Sequence, residues 1–402
     1  MKKFILIPDS FKGTMSSAEI CTIVGEEIRR KFHDAEIISI PVADGGEGTV
    51  DAFLTAVGGE RIEVACKGPY MEDVTAFYGL LPDGTAVIEM AAAAGLPMVG
   101  ERRHAEQTTT YGVGQLIAHA AHHGAKSIVL GLGGSATNDG GCGCAAALGV
   151  RFLNESGEPY IPVGGTLDKL SAVDISGLDP AVAALPFTTM CDIDNPLCGP
   201  NGASAVFGPQ KGADPETVAM LDANLLHLAE VVRRDVSRDV LAIPGGGAAG
   251  GFGAGSVAFF GSQLRMGIET VLDLTGFDAL VTDADLVITG EGKLDSQSLR
   301  GKVVVGVARR AKRAGVPVAA LVGASEAEIE GAYAEGISGV FPINPAPDTF
   351  DEVKGKCCEN LRFTTRNLLH FIAALERSVG GNRAVPVNKS GNKALPQPKK
   401  RI

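Results

Sequence analysis

The sequence predicts an α/β fold in which a discontinuous parallel-sheet domain carries an inserted α+β domain. Three observations predict it. Short apolar runs alternate with amphipathic helical stretches at both ends of the chain. In the middle, the runs alternate in period two and are separated by hairpin-type turns. Several polar, glycine-rich loops directly follow predicted strands, where open α/β sheets gather their ligands.

The elements follow in order. Phe4–Ile7 is a short apolar run, read as a buried strand. Ser16-x-x-Glu19 is a capping box, and Ile20, Val24, Ile28 and Phe32 then repeat at spacing four on one helical face. Glu36–Ile40 is the second strand, and a helix opens after the turn at 44–48 and runs to about Val57. Glu60–Cys66, Val74–Leu81 and Ala86–Met90 read as hairpin strands. A helix carries Val113, Leu116, Ile117 and Ala120, and Ser127–Leu130 is a strand feeding the glycine-rich run Gly131–Gly143. Strands are expected near 171–175 and 187–190. Val218, Leu221, Leu225, Leu228 and Val232 step as an amphipathic helix. Pro244–Gly255 is a glycine-rich turn leading into a helix. Asp285–Thr289, Pro317–Val322 and Gly339–Ile343 restore the strand rhythm, and one long helix covers about 350–377. The parallel domain, of Rossmann or flavodoxin kind, therefore takes 1–60 with 284–378. The insert takes 61–283, and 379–402 is a basic tail expected to be disordered.

Composition narrows the function. The chain has 402 residues, 45% hydrophobic and 21% charged, enough to bury a core without disulfides or metals. Net charge is 36 − 47 = −11, which argues against a nucleic-acid partner. Trp is absent and aromatics are 5%, a poor base-stacking platform. Eight cysteines lack disulfide or zinc spacing, so a reducing cytoplasm is expected. The apolar run at the start is too short for a signal peptide, and no run suggests a membrane span.

Five loops carry possible chemistry. Pro8-Asp-Ser-Phe-Lys12 offers a carboxylate, a hydroxyl and an ammonium just before a helix. Asp44-Gly-Gly-Glu-Gly48 lets backbone amides approach a ligand. Gly131-Leu-Gly-Gly-Ser-Ala-Thr-Asn-Asp-Gly-Gly141 leaves amides unshielded, and Ser135, Thr137 and Asn138 add neutral donors, a phosphate cradle. The same stretch fits G-x-G-x-x-A at 131, 133 and 136, so a dinucleotide site for an NAD-dependent oxidoreductase is a rival, with Glu155 as its acid. Cys191-Asp192-Ile-Asp194-Asn195 places two carboxylates two apart after a strand. Thr289-Gly-Glu291-Gly-Lys293-Leu-Asp295 supplies acid, ammonium and acid, a pattern suited to Mg²⁺. A non-catalytic nucleotide or organic-acid sensor is the third reading. No Walker loop and no protein-kinase signature occurs.

Together these loops resemble the bacterial type-1 glycerate kinase family. The resemblance rests on seven stretches in order: 8–13, 44–49, 133–141, 195–203, 207–213, 244–251 and 289–297. It implies phosphorylation of D-glycerate by ATP with Mg²⁺, generally at the 2-hydroxyl, in a cleft between two α/β domains. With that chemistry in view, Asp192 is assigned as general base, with Lys12 and Lys293 as charge clamp. Asp9, Ser10, Asp44, Gly45 and Gly46 are placed on the substrate, and Gly133, Gly134, Ser135, Thr137 and Asn138 on ATP. Glu291 and Asp295 are placed on Mg²⁺, with Asp194 in reserve, and Asp9 is the alternative base.

Overall fold

A computed structural model describes residues 1–380 apart from 44, 296–297, 327–328 and 346–348. Asp44 and the tail beyond Gly380 lie outside the described residues. Fourteen strands occur in chain order among them. They are β1 (Lys3–Pro8), β2 (Glu36–Ser39), β3 (Glu60–Lys67), β4 (Asp73–Leu80), β5 (Thr85–Glu89), β6 (Ser127–Gly131) and β7 (Arg151–Leu153). They continue with β8 (Pro159–Tyr160), β9 (Ala172–Asp174), β10 (Phe187–Met190), β11 (Gln263–Arg265), β12 (Leu286–Leu294), β13 (Val318–Ser325) and β14 (Gly339–Pro342).

Both ends of the chain build one five-stranded, all-parallel sheet in the order β14-β13-β12-β1-β2. The middle builds a six-stranded mixed sheet, β11-β10-β6-β5-β4-β3. A small antiparallel sheet, β8-β7-β9, stands apart. The α/β class and the parallel sheet shared by the two ends follow the sequence reading. The middle sheet is only half hairpin. Its β3-β4-β5 edge is antiparallel, but β5, β6, β10 and β11 pair in parallel through long crossovers.

Local signals explain the elements near the cleft. Helix Ser17–Lys31 starts with the expected box, Ser16 and Glu19 capping each other. Its Ile20, Val24 and Ile28 bury against Phe4 and Leu6 of β1, and helix Cys357–Gly380 adds Leu361 and Leu368. The predicted single helix over 350–377 is instead two, Phe350–Lys354 and Cys357–Gly380. Gly355 caps the first by donating to the Val353 carbonyl, and glycine costs about 1 kcal/mol inside a helix.

The facing sides of the two large sheets share one core. It joins Ile5, Ile7 and Val287 of the first with Val87, Val129 and Met190 of the second, through Phe53, Ile268, Leu272 and Val304. Each fully buried side chain of this kind contributes roughly 1.5–3 kcal/mol of transfer free energy. Register then sets which loops meet. Pro8 stands beside Gly290, and Met190 beside both Gly131 and Arg265. The chain therefore leaves β1 beside Glu291, and leaves β6 beside the loop after β10.

Candidate active site

One cavity of about 980 Å³ touches both sets of loops. From the first sheet it takes Asp9, Ser10, Lys12, Glu291, Lys293 and Asp295. From the second it takes Gly133, Gly134, Ser135 and Asp192. Ten side chains and glycines picked from distant stretches thus line one space.

On the first wall, Asp9 follows β1 directly. Its amide donates to the Gly290 carbonyl at 2.8 Å and its Oδ1 accepts from the Ser10 amide at 2.7 Å. Glu291 is only 6% exposed, and its Oε1 has no hydrogen-bond partner among the described residues. Burial pushes its carboxyl up to about 7, with Asp9 and Asp295 adding to the rise and Ser298 and Lys302 opposing it. An orphaned, buried carboxylate oxygen at a cavity wall fits a cation ligand. Among the described residues no three His, Cys, Asp or Glu side chains converge to hold a metal by themselves. That fits Mg²⁺, which commonly uses one or two carboxylates and completes its shell with water and phosphate. Lys293 is exposed and donates to Glu326 at 2.8 Å, with Asp295 at 3.8 Å. The Glu326 carboxylate raises its pKa above the ordinary lysine value.

On the second wall, Gly134 is left-handed at φ 73°, and its carbonyl accepts from the Leu96 amide at 2.8 Å. Ala136 donates to Ala94 at 2.9 Å. Between these bonds the amides of Gly134 and Ser135 donate to no acceptor among the described residues. Open amides beside a cavity fit an anion. Asp192 is half-buried, and its Oδ1 accepts from the Gly267 amide at 2.6 Å, at the start of helix Gly267–Leu274.

Other predicted residues stand behind this surface. Gly45 and Gly46 are buried beneath the glycine loop, where the Gly45 carbonyl accepts from the Gly133 amide at 2.9 Å. A Cβ on Gly133 would stand 2.5 Å from the Gly46 Cα, so this glycine is required by packing. Thr137 and Asn138 are fully buried, Asn138 donating to Ser204 at 3.0 Å. Asp194 is exposed.

Sequence reasoning missed two groups. Lys211 lines the cavity at 3% exposure, and its Nζ donates to Ser135 Oγ at 2.8 Å and to the Thr137 carbonyl at 2.7 Å. Asp139 is fully buried and accepts from the Thr110 amide and hydroxyl and from the Gly141 and Gly143 amides. Burial raises its pKa against those four bonds. It folds the cradle loop back toward helix Cys142–Ala147.

The dinucleotide reading of Gly131–Ala136 fails on topology. It requires an acid at the end of the next strand of the same sheet. The next strand, β7, belongs to the separate small sheet, and Glu155 lies exposed in the β7–β8 turn.

Comparison with known proteins identifies the family. A family model described as the Glycerate kinase family matches residues 4–373. The chain is 46% identical to a glycerate kinase of Bacillus cereus over 368 residues, 91% of this chain and 97% of the relative. It is 43% identical to the glycerate 2-kinase of Escherichia coli K12 over 380 residues, 94% of this chain and all of the relative. A crystal structure of a candidate glycerate kinase 2 from Salmonella typhimurium LT2 superposes with TM-score 0.82 at 44% identity, over 94% of this chain and 99% of that one. An aligned length of this order, with the same two-sheet fold, leaves one assignment: the chain belongs to the glycerate kinase family.

Proposed function

We propose that the chain transfers the terminal phosphoryl group of ATP to the 2-hydroxyl of D-glycerate. The reaction is placed in the cavity between a unit of 1–60 with 284–378 and a unit of 61–283. One observation carries this reading: the cavity unites open amides at Gly134 and Ser135 with a buried carboxylate, Glu291, whose Oε1 is unpaired. The named relatives supply the acceptor, and the Escherichia coli protein supplies the position.

Phosphoryl transfer is mostly positioning and charge stabilisation. The Gly134 and Ser135 amides hold phosphoryl oxygens. Asp192, aimed by the Gly267 amide, takes the proton of the attacking hydroxyl. Lys12 holds the glycerate carboxylate, and Lys293 faces the transferring group. Asp9 and Ser10 shape the acceptor side, with the 44–46 loop bracing the cradle from below. Glu291 and Asp295 would hold Mg²⁺, which, when bound, neutralises charge on the phosphates. Eight unpaired thiols support a cytoplasmic setting, and among the described residues no helix is long and apolar enough to cross a membrane.

The test is ADP release from Mg-ATP with and without D-glycerate, run beside an NAD(H) absorbance assay. Glycerate-dependent ADP and a silent absorbance trace are expected. A phospho-enzyme trapped from labelled ATP without glycerate would contradict direct transfer.

A further inference from the structure

Lys211 ends the turn Pro209–Lys211, and its ammonium is buried against neutral partners only, the Ser135 hydroxyl and the Thr137 carbonyl. Among the described residues no carboxylate bonds to it. Asp139 is the anion that acts on it, and all four bonds of that carboxylate go to Thr110, Gly141 and Gly143. On the other side, the exposed Arg103 donates to the Gln210 carbonyl at 3.2 Å, and a Cβ on Gly212 would stand 2.2 Å from the Arg103 carbonyl, so the turn carrying Lys211 lies close against that loop. The surroundings therefore withhold a contact anion.

A buried ammonium without a contact counter-ion is costly, so this amine holds its charge poorly until an anion arrives. Once charged, the ammonium has a third proton that neither Ser135 nor Thr137 uses. The same side chain lines the cavity beside Gly133, Gly134 and Ser135, where the open amides already favour negative charge. The place of the missing anion is thus a ligand's place.

We propose that Lys211 is a phosphate-binding cation of this cavity: a nucleotide phosphoryl group seated on the Gly134 and Ser135 amides takes Lys211 Nζ as its counter-ion, and a proton enters with the nucleotide. This rests on the kinase reading of the cavity. No covalent bond changes in the step; a proton moves from solvent to Nζ, and the phosphoryl charge balances it.

The sign follows from linkage. Burial lowers the amine to about 7, with Asp139 opposing. A phosphoryl contact raises it again. Between the free and bound values, binding takes up a proton, so affinity falls as pH rises above 7. Below 7 the amine is already charged and the linkage vanishes.

Calorimetric titration with ADP at pH 8, in two buffers of different ionisation heat, reads the proton directly. The wild type should take up about one proton per ADP, and its affinity should fall up to about tenfold per pH unit above pH 7. Lys211→Met should bind at least about tenfold more weakly with no uptake. Lys211→Arg, always charged, should bind without uptake and with a flat pH profile. Wild-type binding without proton uptake overturns the proposal. So does Lys211→Met with unchanged affinity and uptake. Should Lys211→Met fail to fold, the wild-type proton count and Lys211→Arg decide. A wild type that binds no ADP at all overturns the kinase reading instead, and this proposal with it.

Discussion

The Asp192 carboxylate accepts a 2.6 Å hydrogen bond from the Gly267 amide, the first residue of helix Gly267–Leu274. That helix packs Ile268, Val271 and Leu272 into the core shared by the two sheets. The direction of Asp192 is therefore tied to the relation between the sheets. Asn can keep the same acceptor bond while losing the base. Asp192→Asn should lower kcat by roughly 10²–10⁴-fold, with the KM for ATP little changed. Steady-state kinetics on the folded variant measures it. A near-normal kcat would remove Asp192 from the mechanism and promote Asp9.

Glu291 makes the cavity pH-sensitive. Its folded pKa, about 7, lies above the ordinary carboxyl value of 4.5. The folded state therefore holds more protons than the unfolded state between these values. Stability from this group is lost as pH rises from 4.5 toward 7, and the deficit is complete above 7. Glu291→Gln should raise the unfolding free energy at pH 8 by up to roughly 3 kcal/mol, seen as a higher melting temperature, and lose that advantage near pH 4.5. The same variant should raise the Mg²⁺ requirement. Melting curves at both pH values and a Mg²⁺ titration of activity check the two halves.

The loops proposed to carry this chemistry were legible as short polar, glycine-rich runs after strands. The capping box at Ser16 and the stripe Leu221, Leu225, Leu228 and Val232 were legible as well, because helix ends and faces are local patterns. The parallel half of the middle sheet was not. Whether β6 pairs with β5 and β10 is decided by crossovers, which leave no period in the sequence. Gly133 looks like a ligand glycine on paper, yet its nearest obstacle is Gly46, a contact only the fold creates. Lys211 lies in the stretch 207–213 that helps carry the resemblance, yet only tertiary burial singles out its ammonium.

Two glycines of the cradle should fail differently. Gly133→Ala forces a Cβ to 2.5 Å from the Gly46 Cα, so the backbone must shift, at a cost of about 1–3 kcal/mol. Gly134 has open space apart from Ala91 at 3.3 Å, but its φ of 73° strains a β-branched residue by about 1–3 kcal/mol. Gly134→Val should stay folded and lose ADP binding. Thermal melts with an ADP titration separate the two, and intact ADP affinity in folded Gly134→Val would make the loop a mere turn.

The two proposed clamp lysines should also separate. Lys293, bound to Glu326 at 2.8 Å and exposed, is assigned to the transferring group and not to the glycerate carboxylate. Lys12→Met should raise the glycerate KM by about 10- to 100-fold, and Lys293→Met should raise it less. Glycerate saturation curves at fixed Mg-ATP read both. Equal glycerate KM values in Lys12→Met and wild type would take Lys12 off the acceptor carboxylate.

The most direct measurement is the phosphorus-31 spectrum of the product made from D-glycerate and Mg-ATP by the wild-type chain. A phosphate on the 2-hydroxyl couples to the lone C2 proton and gives a doublet. A phosphate on the 3-hydroxyl couples to the two C3 protons and gives a triplet. The account predicts a new phosphomonoester doublet growing in step with ADP, and much slower growth with Asp192→Asn. A triplet, or ADP release with no glycerate ester, would contradict it.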